Sequence, residues 1–135
     1  MFLGKTIATK IFLDTNVLMA IAQFKIDIFS EISKVCDFGH EFVVIDRVHG
    51  ELAEIAGRQK GKDRDSAKLA MAIITAKKIK ILKAKSGDAD ESLLDEAKKH
   101  KGIVATQDYG LRSRLKAEKI PLLTMRQKKY FVLYK

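Results

Sequence analysis

The chain has 135 residues, 47% of them hydrophobic, a single cysteine and a formal net charge of +9. That length suits one domain, spanning residues 1–135, that buries about two-thirds of its unfolded surface. The lone Cys36 excludes an internal disulfide and reads as a buried thiol, and no apolar run approaches the roughly 20 residues of a membrane span.

The opening stretch MFLGKTIATKIFLD carries a lysine within its apolar run and no small-residue cleavage site, so a cytoplasmic protein without a signal peptide is expected. KIFLD (10–14) is a short apolar strand candidate. Residues 15–24 and 27–36 carry helical apolar spacing through Val17, Leu18, Ile21 and Ala22, then Ile28, Ile32 and Val35. EFVVID (41–46) reads as a second strand, with Asp46 as the cap of a helix through RVHGELAEIA and Gly57 as its left-handed stop. A polar, basic break at 57–64 precedes a helix at 65–79, and KIKILKA (78–84) reads as a strand with lysines outward. SGDAD turns into a helix at 90–101, GIVAT (102–106) is a strand, and a short helix begins at Tyr109. Pro121 breaks it, PLLTM (121–125) is a strand, and KYFVLYK has β character. Strands separated by helices predict an α/β fold: a doubly wound, mainly parallel sheet with helices on both faces.

Charge is unevenly spread. Residues 1–57 carry a net −3, 58–87 a net +8, 88–111 a net −3 and 112–135 a net +7. The basic blocks suit a polyanion, whose neutralised phosphates release counterions. Solubility alone, or a Lys-rich and Asn- and Gln-poor composition adapted to heat, accounts for them as well.

In an open parallel sheet, sites form outside the carboxyl ends of the strands. Asp14 ends the first strand, Asp108 follows GIVAT after one residue, and Asp90 begins the helix after KIKILKA. Glu51 lies one turn into the helix after the second strand. Each has an ordinary alternative: Asp14, Asp46, Asp90 and Asp108 are candidate helix caps, and Glu51 a candidate exposed glutamate. Gathered in one crevice, such acids repel by about 4 kcal/mol per pair at about 4 Å and an effective dielectric near 20. A divalent cation relieves that repulsion, and an all-oxygen site selects Mg²⁺ or Mn²⁺, which lower the pKa of a bound water. His40, His49 and His100 are not spaced as a zinc set, and no Walker A loop, GxGxxG fingerprint or GxSxG elbow occurs.

In IFLDTNVL, VIDRVHGELAEI, DADESLLDEAKKH and IVATQDYGLRSRL, taken in order from residue 10 to about 125, the chain resembles the PIN domain nucleases. The resemblance implies a metal-dependent endoribonuclease whose acids fall on Asp14, Glu51, Asp90 and Asp108. It makes Asn16, the chain's only asparagine, the residue that orients Asp14, and Thr106 the small hydroxyl of the last motif. Asp88 competes with Asp90, which is preferred because Leu93 and Ala97 follow it at the family's spacing; Glu91 is a partial substitute. Gly110 stands where many members carry a further acid, which leaves one or two metals open.

Within the family, ADESLLDEAKKHKGIVATQD and LRSRLKAEKIPLL look most like the ribosomal RNA-processing branch and its archaeal relatives. Precursor ribosomal RNA is then the expected substrate, tracked by basic segments at 58–85 and 112–129 through Arg58, Lys60, Lys62, Arg64, Arg112 and Arg114. Tyr109 is a candidate for stacking on a base or for packing. The runner-up is a toxin ribonuclease restrained by an antitoxin protein, and a third reading is a catalytically weak RNA-binding scaffold of ribosome assembly. Relatives are often homodimers, which the apolar helical faces here allow. A haloacid dehalogenase phosphatase needs a second aspartate where Asn16 stands, and a receiver domain groups its acids differently.

Overall fold

A computed structural model describes residues 8–58, 60–84 and 87–135. The N-terminal stretch 1–7, Gln59, and Lys85 and Ser86 lie outside the described residues. With them go the reading of the first residues, the far end of the basic segment at 58–85 and the start of SGDAD.

The first strand, β1 (Thr9–Leu13), ends in Ile11, Phe12 and Leu13, all fully buried although consecutive side chains point to opposite faces. Both faces of the sheet are therefore covered there, as a parallel sheet flanked by helices requires. Helices α1 (Thr15–Gln23) and α2 (Ile28–Val35) lead to β2 (His40–Ile45); α3 (Asp46–Ala56) and α4 (Lys62–Ala76) lead to β3 (Lys80–Leu82). Then α5 (Ala89–His100), β4 (Ile103–Ala105), α6 (Tyr109–Ala117), β5 (Leu122–Arg126) and β6 (Tyr130–Tyr134) complete the chain. The six-stranded sheet has the order β3-β2-β1-β4-β5-β6, parallel except for β6, which returns antiparallel on β5. The α/β, mainly parallel architecture read from the sequence is thus what the chain adopts.

Strand order reverses between β1 and β4, the switch point where a crevice opens at the carboxyl ends of an open α/β sheet. Gly102 lets the two strands meet: a Cβ there would lie 2.6 Å from the Lys10 carbonyl oxygen and 2.9 Å from the Phe12 ring. Beyond this junction the β5–β6 hairpin turns through Gln127 and Lys128 at φ 53° and 54°, the left-handed pair of a type I′ turn.

Three local readings are corrected. Asp46 does not cap α3; it is the helix's first residue, and its Oδ1 accepts the Ala84 N–H at 3.1 Å, tying α3 to the segment after β3. Gly57 ends α3 at φ −81° in the right-handed region, because its N–H still reaches the Ala53 carbonyl. The strand expected over 78–84 shrinks to β3, since Lys78 adopts a left-handed φ of 54° to leave α4. Cys36 is buried and unpaired, as expected.

Candidate active site

At the switch point β1 delivers Asp14, which caps α1: its Oδ1 accepts the Thr15 N–H at 2.8 Å. Asp14 Oδ2 accepts the Thr106 hydroxyl at 2.6 Å and the Asn16 amide at 3.2 Å. A carboxylate offers about four lone-pair sites, so roughly one remains for anything in the crevice. The side chain is only 5% exposed, which fixes its aim.

Thr106 follows β4 directly and is completely buried. While its hydroxyl donates to Asp14, the same oxygen accepts the Asp108 N–H at 3.1 Å, so one atom spaces the two acids. Asp108 caps α6 by accepting the Leu111 N–H through Oδ1 at 2.8 Å, and its other oxygen stays free among the described residues. Asn16 Oδ1 accepts the Gln107 N–H at 2.9 Å. The Gln107 amide in turn clasps the Met125 backbone through both its N–H and its carbonyl, and takes the Thr124 hydroxyl at 3.0 Å. The end of β4 is thereby locked to β1 on one side and β5 on the other.

Glu51, in the second turn of α3, accepts the Thr15 hydroxyl at 2.7 Å. In the first turn of α5 the two competing acids take different places. Asp88 is the N-cap, accepting the Glu91 N–H at 2.8 Å, whereas Asp90 lines the cleft. Asp14, Thr15, Asn16, Met19, Glu51, Asp90 and Asp108 thus surround one open hollow of about 330 Å³, together with Gln23 and Asp63. Asn16, Met19 and Gln23 recur on one face of α1, which forms a wall.

Asp63 and Thr15 escape the sequence reading. Asp63 is hidden in the basic stretch around 57–64, and its signal is the early start of α4 at Lys62, which puts it in an N-terminal turn. Thr15 is legible only as a hydroxyl adjoining the strand-end acid. Of the cations expected at the site, none lines the hollow itself. Arg58, Lys60 and Lys62 are exposed around the α3–α4 connection, and Arg64 pairs with Asp65 at 2.8 Å. Arg114 pairs with Glu91 at 2.7 Å, and Arg112 lays its guanidinium 6.0 Å from the Tyr109 ring. Tyr109 is 78% exposed, so it does not pack.

The acids sense one another. Burial pushes the Asp14 carboxyl up; the Thr106 and Thr15 hydrogen bonds oppose this, and the charges of Asp90 and Glu51 add to it. Asp90 is likewise raised, first by burial, then by Asp108 and Asp88, with Arg114 opposing. The lining holds five carboxylates and neither His nor Cys, a donor chemistry that fits a hard divalent cation. Among the described residues, no three His, Cys, Asp or Glu side chains stand close enough together to hold an ion as placed.

Residues 11–128 match the family described as PIN like domain, and the chain belongs to that family. It is 34% identical over 128 residues to Ribonuclease VapC4 of Methanocaldococcus jannaschii, covering 93% of this chain and 96% of the relative. Ribonuclease VapC9 of Archaeoglobus fulgidus is 27% identical over 117 residues, covering 86% and 82%. Among solved structures, the PIN domain endonuclease Utp24 superposes with a TM-score of 0.75 over 92% of this chain and 90% of that one, at 23% identity. A domain of a functionally unknown protein from Methanocaldococcus jannaschii gives 0.58 over 88% and 92%, also at 23%. At these identities the structural likenesses speak to the fold.

Proposed function

We propose that the chain is a Mg²⁺- or Mn²⁺-dependent endoribonuclease that hydrolyses RNA phosphodiester bonds in the cytoplasm, the whole of residues 1–135 forming one such domain. The observation that carries this reading is the gathering of Asp14, Glu51, Asp90 and Asp108 around one cleft at the switch point, with Asp14 aimed by Thr106 and Asn16. These four acids would hold the cation, which when bound supplies an acidified water and positive charge at the phosphate. Asp14 is the fixed donor, with about one acceptor site turned outward. Glu51 and Asp108 each keep an oxygen free of protein hydrogen bonds among the described residues. Burial is the main reason Asp14 and Asp90 hold their protons more tightly, and the neighbouring carboxylates add a repulsion that a cation would relieve. Arg58, Lys60, Lys62, Arg64, Arg112 and Arg114 would track the phosphates of a bound strand.

Precursor ribosomal RNA is the proposed substrate, on the strength of the last two sequence motifs. A second reading, a toxin ribonuclease held by an antitoxin protein, is favoured by the likeness to two VapC ribonucleases. The apolar helical faces allow a homodimer in either role. Purified protein should cut RNA with Mn²⁺, and Asp14→Asn or Asp108→Asn should abolish the cut; normal cleavage by both variants overturns the assignment. Growth arrest on expression, relieved by a co-expressed partner, would decide for the toxin role over ribosomal RNA maturation.

A further inference from the structure

The acidic cleft does not end at α1. Asn16 and Gln23 also form one wall of a second hollow of about 440 Å³, which continues past them to the β5–β6 turn. Its character changes abruptly. In place of carboxylates it offers Met125, the Phe24 ring, Lys128 and the amide of Gln127. Phe24 caps the C-terminal end of α1 and leaves 36% of its surface exposed at the rim of the hollow. The Lys128 ammonium sits 4.9 Å from its ring centroid.

Gln127 and Lys128 are the two central residues of the β5–β6 turn. Both residues adopt φ near +54°, where Asn and Gly are the usual occupants. The hairpin turn thus sets two long polar side chains at the mouth of the hollow. The Gln107 amide is already consumed by Thr124 and Met125, which leaves Gln23 and Gln127 to offer donors and acceptors there.

We propose that this hollow is a nucleobase subsite for the nucleotide next to the scissile phosphate. The base stacks against Phe24 and Met125, the Gln127 and Gln23 amides read its edge, and Lys128 meets the adjoining phosphate. This rests on the ribonuclease reading above. An aromatic ring, side-chain amides and a cation are what single-stranded nucleic acid sites combine. Lys128 leaves the ring when the base arrives, because an exposed cation–π contact is weaker than base–aromatic stacking. Continuity with the carboxylates fixes the occupant as the strand that crosses them.

The test uses the full chain and short fluorescein-labelled RNAs, with binding measured in a cleavage-dead Asp108→Asn background and cleavage in the wild type. Phe24→Ala should weaken binding roughly tenfold, the loss of one stacked base, and Phe24→Tyr should restore it. An abasic nucleotide at the neighbouring position should cost wild type a similar factor and cost Phe24→Ala nothing further. Gln127→Ala should flatten the base preference at that position. If wild type cuts RNA and Phe24→Ala matches it in affinity and base preference, the subsite falls and the nuclease reading stands. If Phe24→Ala instead changes only the oligomeric state, the hollow is a protein interface and the subsite falls too. If wild type neither binds nor cuts RNA, both readings fall together.

Discussion

The Thr106 hydroxyl donates to Asp14 Oδ2 across 2.6 Å, linking the carboxyl ends of two parallel strands 92 residues apart in the chain. That oxygen simultaneously accepts the Asp108 N–H, so it registers both acids. Thr106→Val keeps the buried shape and removes both functions of the hydroxyl. Cleavage should fall roughly 10- to 100-fold, as for other groups that orient metal ligands, while Thr106→Ser should retain most of it. Steady-state kinetics should place the loss in kcat at saturating Mn²⁺.

Cation binding should be visible without RNA. Mn²⁺ at about a hundredfold excess over its Kd should stabilise the fold by about 2.7 kcal/mol, a Tm rise of roughly 5–10 °C. EDTA should reverse the rise, and Asp14→Asn should remove it. An Asp14→Asn variant that gains the same stability would mean that the ion binds elsewhere.

Asp90 holds its proton more tightly in the folded chain, because burial and the charges of Asp108 and Asp88 disfavour its anion. Its contribution to stability is therefore fully present below its ordinary value of 3.8 and is lost as pH rises through the raised, folded-state value. In EDTA at neutral pH, Asp90→Asn should be more stable than wild type. The advantage should shrink on acidification and vanish below about pH 3, as urea midpoints across the range will show.

Gly102→Ala places a Cβ 2.6 Å from the Lys10 carbonyl oxygen, a backbone atom that cannot swing away. Overpacking of this kind costs about 1–3 kcal/mol. Because it pries β4 from β1, cleavage should fall along with the denaturation midpoint, although Gly102 touches no site residue.

The central strands are legible in sequence because IFL and IVA are buried on both faces and read as unbroken apolar runs. Asp14 and Asp108 are legible for the same reason: each follows such a run, and each also serves as the helix cap it resembles. Asp88 and Asp90 are harder. Both fall in the first turn of one helix, and only the hydrogen bond from Glu91 N–H to Asp88 separates the cap from the cleft-facing acid. Asp63 is masked by the basic residues around it. Asp46 misleads because a strand-end aspartate signals a cap, whereas a distant backbone N–H claims its carboxylate.

Four helices leave through lysines in the left-handed region, where glycine is usual: Lys25 after α1, Lys78 after α4, Lys101 after α5 and Lys119 after α6. Behind the last three, the N–H groups of Ile79, Gly102 and Ile120 reach back to carbonyls five residues earlier, closing each helix end. A cation at the negative pole of a helix dipole is stabilising, and salt screens it. Part of the chain's positive charge therefore belongs to the fold rather than to any phosphate. Ionic strength will loosen helix ends and RNA together, so the number of phosphate contacts read from a salt titration is meaningful only beside the unfolding midpoint at each salt.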